Sequence, residues 1–221
     1  MNNRKSIGII GGAGPDAGVL LFRQIIRLCQ KEYGCKRDYD FPLIHLLSYP
    51  FTEMLSENPD KNKIQSELKW AYNQLQSDYI VITCNTLHTF IDETFSKDKL
   101  LHLINKTQNI LTQVPLVLCS STSRKTAIHQ KFFPCHYPDV EQQKEVEKII
   151  DEILAGQLDL SITSRLEKIL ESVPPNTEVI LGCTELSLIH DTHPLDAKWK
   201  VIDPSWNMAK ELCKLIFNER V

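Results

Sequence analysis

The 221-residue chain reads as an α/β protein made of two similar units with mostly parallel sheets. Three observations predict this class. Short apolar runs alternate with amphipathic helical stretches along the chain, the pattern of successive βαβ units. The first apolar run leads directly into Gly11-Gly12-Ala13-Gly14-Pro15, a glycine turn opening a helix. Finally, the run from Tyr79 to Leu87, YIVITCNTL, has a counterpart from Glu178 to Leu186, EVILGCTEL. Each is an apolar strand that ends in a cysteine and small polar groups, just before a helical start.

Taken in order, Ser6 to Ile10 is a first strand, and Ala17 to Gln30 a helix with Leu20, Ile25 and Leu28 on its apolar side. Pro42 to Leu47 is a second strand. Lys63 to Gln76 carries Ile64, Leu68, Ala71 and Leu75 at helical spacing, and Tyr79 to Thr83 returns as a buried strand. The stretch from Asp92 to Leu111 is expected to be mainly helical. Val114 to Cys119 is a strand ending in Ser120-Ser121-Thr122-Ser123, where a second unit begins. Glu141 to Leu154 and Ser164 to Ser172 are helices around Ala155-Gly156, before the strand from Glu178 to Leu181 presents Cys183. Val201-Ile202 is a last short strand and Trp206 to Phe217 a closing helix. The expected domains are 1–108 with 204–221, carrying Cys84, and 109–203, carrying Cys183.

Composition narrows the function classes. With 42% hydrophobic and 24% charged residues the chain has ordinary globular content, and its net charge of -3 comes from dispersed residues. No Lys/Arg run offers a phosphate-backbone or lipid-surface footprint, so neither nucleic acid nor membrane is an expected partner. No run approaches the ~20 apolar residues needed to cross a bilayer. The N-terminus has too short an apolar run for a signal peptide. Seven cysteines, odd in number and scattered, fit reduced thiols and a cytoplasmic location.

In open parallel sheets ligands bind beyond the carboxyl ends of the strands. Cys84 and Cys183 stand at such ends, each followed by a helical start that favours thiolate, so together they offer a base and a proton donor. Buried cysteine is more often a small hydrophobe, and Cys29, Cys119 and Cys213 keep that reading, while Cys35 and Cys135 read as loop residues. Gly12 to Ala17 fits the dinucleotide fingerprint G-x-G-x-x-G/A. However, the second strand ends in Ser48 and Tyr49 with no acid for a ribose, and Pro15 removes a backbone donor. The alternative is a turn whose N–H groups receive a substrate carboxylate. No C-x-x-C occurs, and His190 and His193 lack thiols at zinc-finger spacing, so they read as solvated loop residues and no metal is expected. His88, four residues past Cys84, is either a thiol partner in a cysteine hydrolase or a capping group. The hydroxyls at 120–123 are either a capping turn or a cleft lining.

The motifs GGAGP, CNTLH and GCTE, in this order and spacing, resemble the aspartate/glutamate racemase family, closest to its aspartate racemase branch. The resemblance covers essentially the whole chain. It implies two α/β domains related by pseudo-twofold symmetry with the active site at their interface, no cofactor, no pyridoxal phosphate, no metal, an amino-acid substrate and a homodimer. It also implies that Cys84 and Cys183 are the catalytic pair on opposite faces of the substrate α-carbon, one taking the α-proton and the other returning one. Gly11, Gly12, Asn85, Thr86 and Thr184 match positions that hydrogen-bond the substrate, with Ser121 and Thr122 lining the cleft. Glu185 matches the family acid after the second thiol, a group that orients it, while His88 keeps its own reading as a capping group or a support for the thiol. The chain departs from the family at Leu55 and Leu154, where an Arg and a Lys commonly clamp a side-chain carboxylate, and at Ala13 and Gly18. An uncharged or differently charged amino acid is therefore the expected substrate. A racemase of hydantoin-type substrates, a one-thiol decarboxylase and a non-catalytic binding protein are the alternatives.

Overall fold

The computed structural model describes residues 5–52 and 60–217. The chain divides into two compact units, the first running up to Leu103 and resuming at Ser205, the second spanning Ile104–Pro204.

In the first unit, β1 (Ile7–Gly11) pairs in parallel with β2 (Ile44–Ser48) on one side and β3 (Tyr79–Ile82) on the other. β4 (Leu100–Leu101) adds to β3, giving the order β2-β1-β3-β4. Strand alternation sends Ile7, Ile9 and Val81 to one face, where α1 (Pro15–Lys31) and α8 (Pro204–Phe217) cover them with Leu21, Ile25, Leu28, Met208 and Leu212. Ile10, Ile80 and Ile82 face the other way, onto Ile64, Leu68 and Ala71 of α2 (Lys61–Gln74). Pro15 occupies the first turn of α1, where its missing N–H costs nothing. Asp60 caps α2 by accepting from the backbone N–H groups of Asn62 and Lys63.

The second unit repeats this arrangement with a three-stranded parallel sheet, β5 (Leu116–Leu118), β6 (Glu178–Leu181) and β7 (Lys200–Ile202), in the order β5-β6-β7. On the free side of β5, His136 forms a parallel bridge with Leu116, its carbonyl accepting from the N–H of Val117 at 2.8 Å. That segment takes beside β5 the place that β2 takes beside β1. One face is covered by α5 (Val140–Leu154), α6 (Leu160–Leu170) and α7 (Thr184–Thr192) through Val146, Ile149, Leu166 and Leu186. On the other face Val117, Ile180 and Ile202 pack with Ile104 of α3 (Leu103–Gln108), Ile128 and Phe133. A short α4 (Ser121–Lys125) follows β5.

The α/β class with parallel sheets is as the sequence predicts, but one element differs. The stretch from Asp92 to Leu111 is not mainly helical. A 3-10 turn at Thr86–Phe90 is followed by β4 and then the short α3. Leu100 and Leu101 are buried on both sides of the sheet, and a short apolar run of this kind has no period to separate strand from helix. No helix among the described residues is long and apolar enough to cross a membrane.

Candidate active site

In the first unit the chain steps from β1 outward to β2 and then crosses back past β1 to β3, so the strand order reverses between β1 and β3, at a switch point where such sheets bind ligands. Ile10 lies beside Ile82 in the register, which sets Gly12 level with Cys84 on adjacent strand ends. Gly12 has φ 106°, and a Cβ there would meet the Tyr49 carbonyl oxygen at 1.9 Å, so only glycine lets the chain pass. Gly18 serves close packing: its Cβ would come within 3.4 Å of the Gly11 Cα, and this draws α1 onto β1 beneath the turn.

Cys84 is half-buried and packs against the apolar cluster that holds Ile10, Ile82 and Leu87. Beside it Asn85 is 2% exposed, yet neither its amide oxygen nor its nitrogen has a hydrogen-bond partner. A buried amide without partners costs about 1–3 kcal/mol and marks a place where a ligand can satisfy it. Thr86 is buried at the start of the 3-10 turn. The His88 ring accepts the Leu103 N–H at Nε2 (3.0 Å), which leaves Nδ1 as the protonated nitrogen that donates to the Cys84 carbonyl oxygen at 3.1 Å. His88 thus ties the Cys84 turn to the chain after β4, and both ring nitrogens are committed to backbone.

In the second unit Leu118 lies beside Leu181, so Ser120 and Cys183 end adjacent strands at one level. Cys183 is the N-cap residue of α7, half-buried. Its thiol donates to Glu185 Oε2 at 2.8 Å. Glu185 is 5% exposed; burial pushes its pKa up, and the bond from the Cys183 thiol pulls it back. Thr184 is buried, with its hydroxyl 3.4 Å from the same carboxylate oxygen. Ser120 caps α4 by accepting from the N–H of Ser123, and the Ser121 N–H donates to Glu147 Oε2 of α5 at 2.7 Å. Ser121 and Thr122 are half-buried at this edge.

Each unit therefore gathers one sequence-predicted set: Gly11, Gly12, Cys84, Asn85, Thr86 and His88 in the first, and Ser121, Thr122, Cys183, Thr184 and Glu185 in the second. Glu147 escapes a sequence reading because its only signal is position on an ordinary amphipathic helix. Leu154 is the last residue of α5 and 36% exposed, whereas Leu55 lies outside the described residues. His190 is not a loop residue: it belongs to α7, its Nδ1 accepts the Leu195 N–H at 3.1 Å, and burial lowers its pKa. No three His, Cys, Asp or Glu side chains among the described residues are grouped to hold a metal.

Aspartate racemase from Picrophilus torridus superposes with a TM-score of 0.73, at 24% identity, over 96% of this chain and 94% of the other. Glutamate racemase from Thermus thermophilus superposes with a TM-score of 0.64 at 15% identity, over 98% and 82%. The chain has the aspartate/glutamate racemase fold. The broad specificity amino-acid racemase RacX of Bacillus subtilis is 24% identical over 92% of this chain and 95% of its own length. The similarity to this amino-acid racemase extends over nearly the whole of both chains. No family model matches the chain.

Proposed function

We propose that the protein is a cofactor-independent amino-acid racemase in which Cys84 and Cys183 exchange protons with opposite faces of the substrate α-carbon. The observation that carries this reading is the presence of one thiol at the carboxyl edge of each parallel sheet, Cys84 standing next to the switch point of the first unit. In the forward direction a thiolate takes the α-proton, the C–H electron pair passes into the α-carboxylate as an enolate, and the other thiol returns its proton to the far face. The reverse reaction exchanges the two roles. An enolate needs hydrogen-bond donors at the carboxylate, and Asn85, Thr86, Thr184 and the Gly11–Gly12 turn supply them. Glu185 accepts the Cys183 proton and supports its passage to thiolate. The reaction itself is a proton-neutral inversion, with each thiol ending in the state the other began.

The substrate in this reading carries a neutral side chain. Leu154 and Leu55 leave no cation where the resembled family clamps a second carboxylate, and an unpaired, partly buried carboxylate costs several kcal/mol. The cluster that Cys84 packs against is apolar, with Ile10, Ile82, Leu87 and Phe95. The name of the Bacillus subtilis relative, a broad specificity amino-acid racemase, agrees with a permissive side-chain pocket. A cytoplasmic homodimer completes the proposal, on the scattered free thiols and the resemblance. The hydrolase alternative loses ground because both nitrogens of His88 are committed to backbone. The test is chiral chromatography of alanine, leucine, methionine, phenylalanine, aspartate and glutamate incubated with the enzyme: inversion of a neutral member supports the reading, and inversion of none contradicts it.

A further inference from the structure

Any racemase of free amino acids must hold an α-ammonium as well as an α-carboxylate, and the turn after β1, Gly12-Ala13-Gly14-Pro15, supplies no anion. At the carboxyl edges, Glu185 is engaged by the Cys183 thiol, Asp203 accepts the Ser187 hydroxyl at 2.7 Å, and Asp16 lies exposed in the first turn of α1. Glu147 differs from these. α5 runs toward the carboxyl edge of its sheet, the Gln143 amide donating to the Cys119 carbonyl and, one turn later, Glu147 reaching the Ser121 N–H. Ser121 stands one residue past Ser120, which is level with Cys183 on the neighbouring strand end. Glu147 is half-buried, one of its oxygens holds Ser121, and none of the ion pairs among the described residues gives it a cation.

We infer that Glu147 is the acceptor for the substrate's α-ammonium group, with Ser121 fixing its carboxylate beside Cys183. The role rests on the racemase reading. It accounts for a half-buried carboxylate that forms no ion pair among the described residues, since an incoming ammonium supplies the charge and the hydrogen-bond donors together. It also gives α5 a function at the reaction centre beyond covering the sheet.

Glu147→Gln is a suitable probe because the amide oxygen can still accept the Ser121 N–H while the charge is lost. For each neutral amino acid that the wild type inverts, KM is measured with wild type and variant. The matching carboxylate without the amino group (propionate for alanine, 4-methylpentanoate for leucine) is measured as a competitive inhibitor. The expected result is a KM raised about 10- to 100-fold for the amino acid, the loss of one charge-assisted bond, with the inhibition constant of the des-amino carboxylate unchanged or lowered. An unchanged KM overturns the inference. So does an equal loss of affinity for both ligands, which would make Glu147 a brace for the Ser121 loop, and so does a fall in kcat alone. A wild type that exchanges no α-proton overturns the racemase reading itself, an outcome separate from all of these.

Discussion

The Cys183 thiol donates to the carboxylate of Glu185 across 2.8 Å, and that carboxylate is 5% exposed. Burial raises the pKa of Glu185 while the thiol bond opposes the rise, so the acid and the thiol hold one proton between them at the start of α7. As pH falls, Glu185 takes a proton at a higher pH than an ordinary carboxylate and ceases to accept the one from Cys183. Activity should therefore decline on the acid side. Glu185→Gln should slow racemisation in both directions alike, as the equilibrium between enantiomers requires, by about 100-fold, and should abolish that acid limb in the pH profile of kcat/KM. A variant whose acid limb matches that of the wild type would contradict the assignment.

Asn85 gives a prediction in which binding and stability part. Its side-chain amide is buried without partners, so the fold gains nothing from it and a ligand carboxylate does. Asn85→Ala should raise KM by about 10-fold or more, the value of a hydrogen bond to a charged group. Its thermal midpoint should be unchanged or raised. Calorimetry showing a large drop in Tm would mean that the amide braces the fold instead.

Glu178 is a structural group in the second unit. It is fully buried at the start of β6, where it receives the Lys200 ammonium, the Thr112 hydroxyl and the N–H groups of Thr112 and Gln113. Burial alone would push its pKa up, but Lys200 and Thr112 overcome this and hold it at about 2. A folded pKa below the usual 4.5 means that the contribution to stability is present above pH ~4.5 and is lost as pH falls toward ~2. Glu178→Gln should cost about 2–3 kcal/mol in urea unfolding at pH 7, and the difference from wild type should shrink across that acid window. A constant difference would contradict the linkage.

Gly12→Ala should fail by sterics, since its Cβ would overlap the Tyr49 carbonyl at a φ of 106°. The turn must move to accommodate it, so activity should be lost together with several °C of Tm. A fully active, equally stable variant would show that the turn relaxes freely.

His88→Gln separates a brace from a base. Loss of its two backbone contacts should lower stability by about 1–3 kcal/mol. The pH dependence of Cys84 alkylation should stay where it was. A shift of that profile would restore the imidazole as partner of the thiol.

The parts legible in the sequence were those with strong local signals. Unbroken apolar runs at Ile7–Gly11, Tyr79–Ile82 and Glu178–Leu181 and the glycine-proline turn located the strands and the edge to which they point. β4 was hidden because two buried leucines carry no periodicity, and their strand character comes only from pairing with Ile80 and Val81. His190 was misplaced because its partner, the Leu195 N–H, is provided by the turn after α7. Glu147 and Glu178 depend on partners distant in sequence, Ser121 for one and Thr112 and Lys200 for the other, so no local pattern announces them.

The central claim, two thiols serving two faces of one carbon, is tested most directly by α-proton exchange in deuterated water, followed by NMR on separated enantiomers. A neutral amino acid inverted by the wild type is used, with wild type, Cys84→Ala and Cys183→Ala. The wild type should incorporate deuterium with inversion. Each variant should lose inversion, and any exchange that remains should retain configuration and be confined to opposite enantiomers in the two variants. Inversion that survives removal of either thiol would contradict the account.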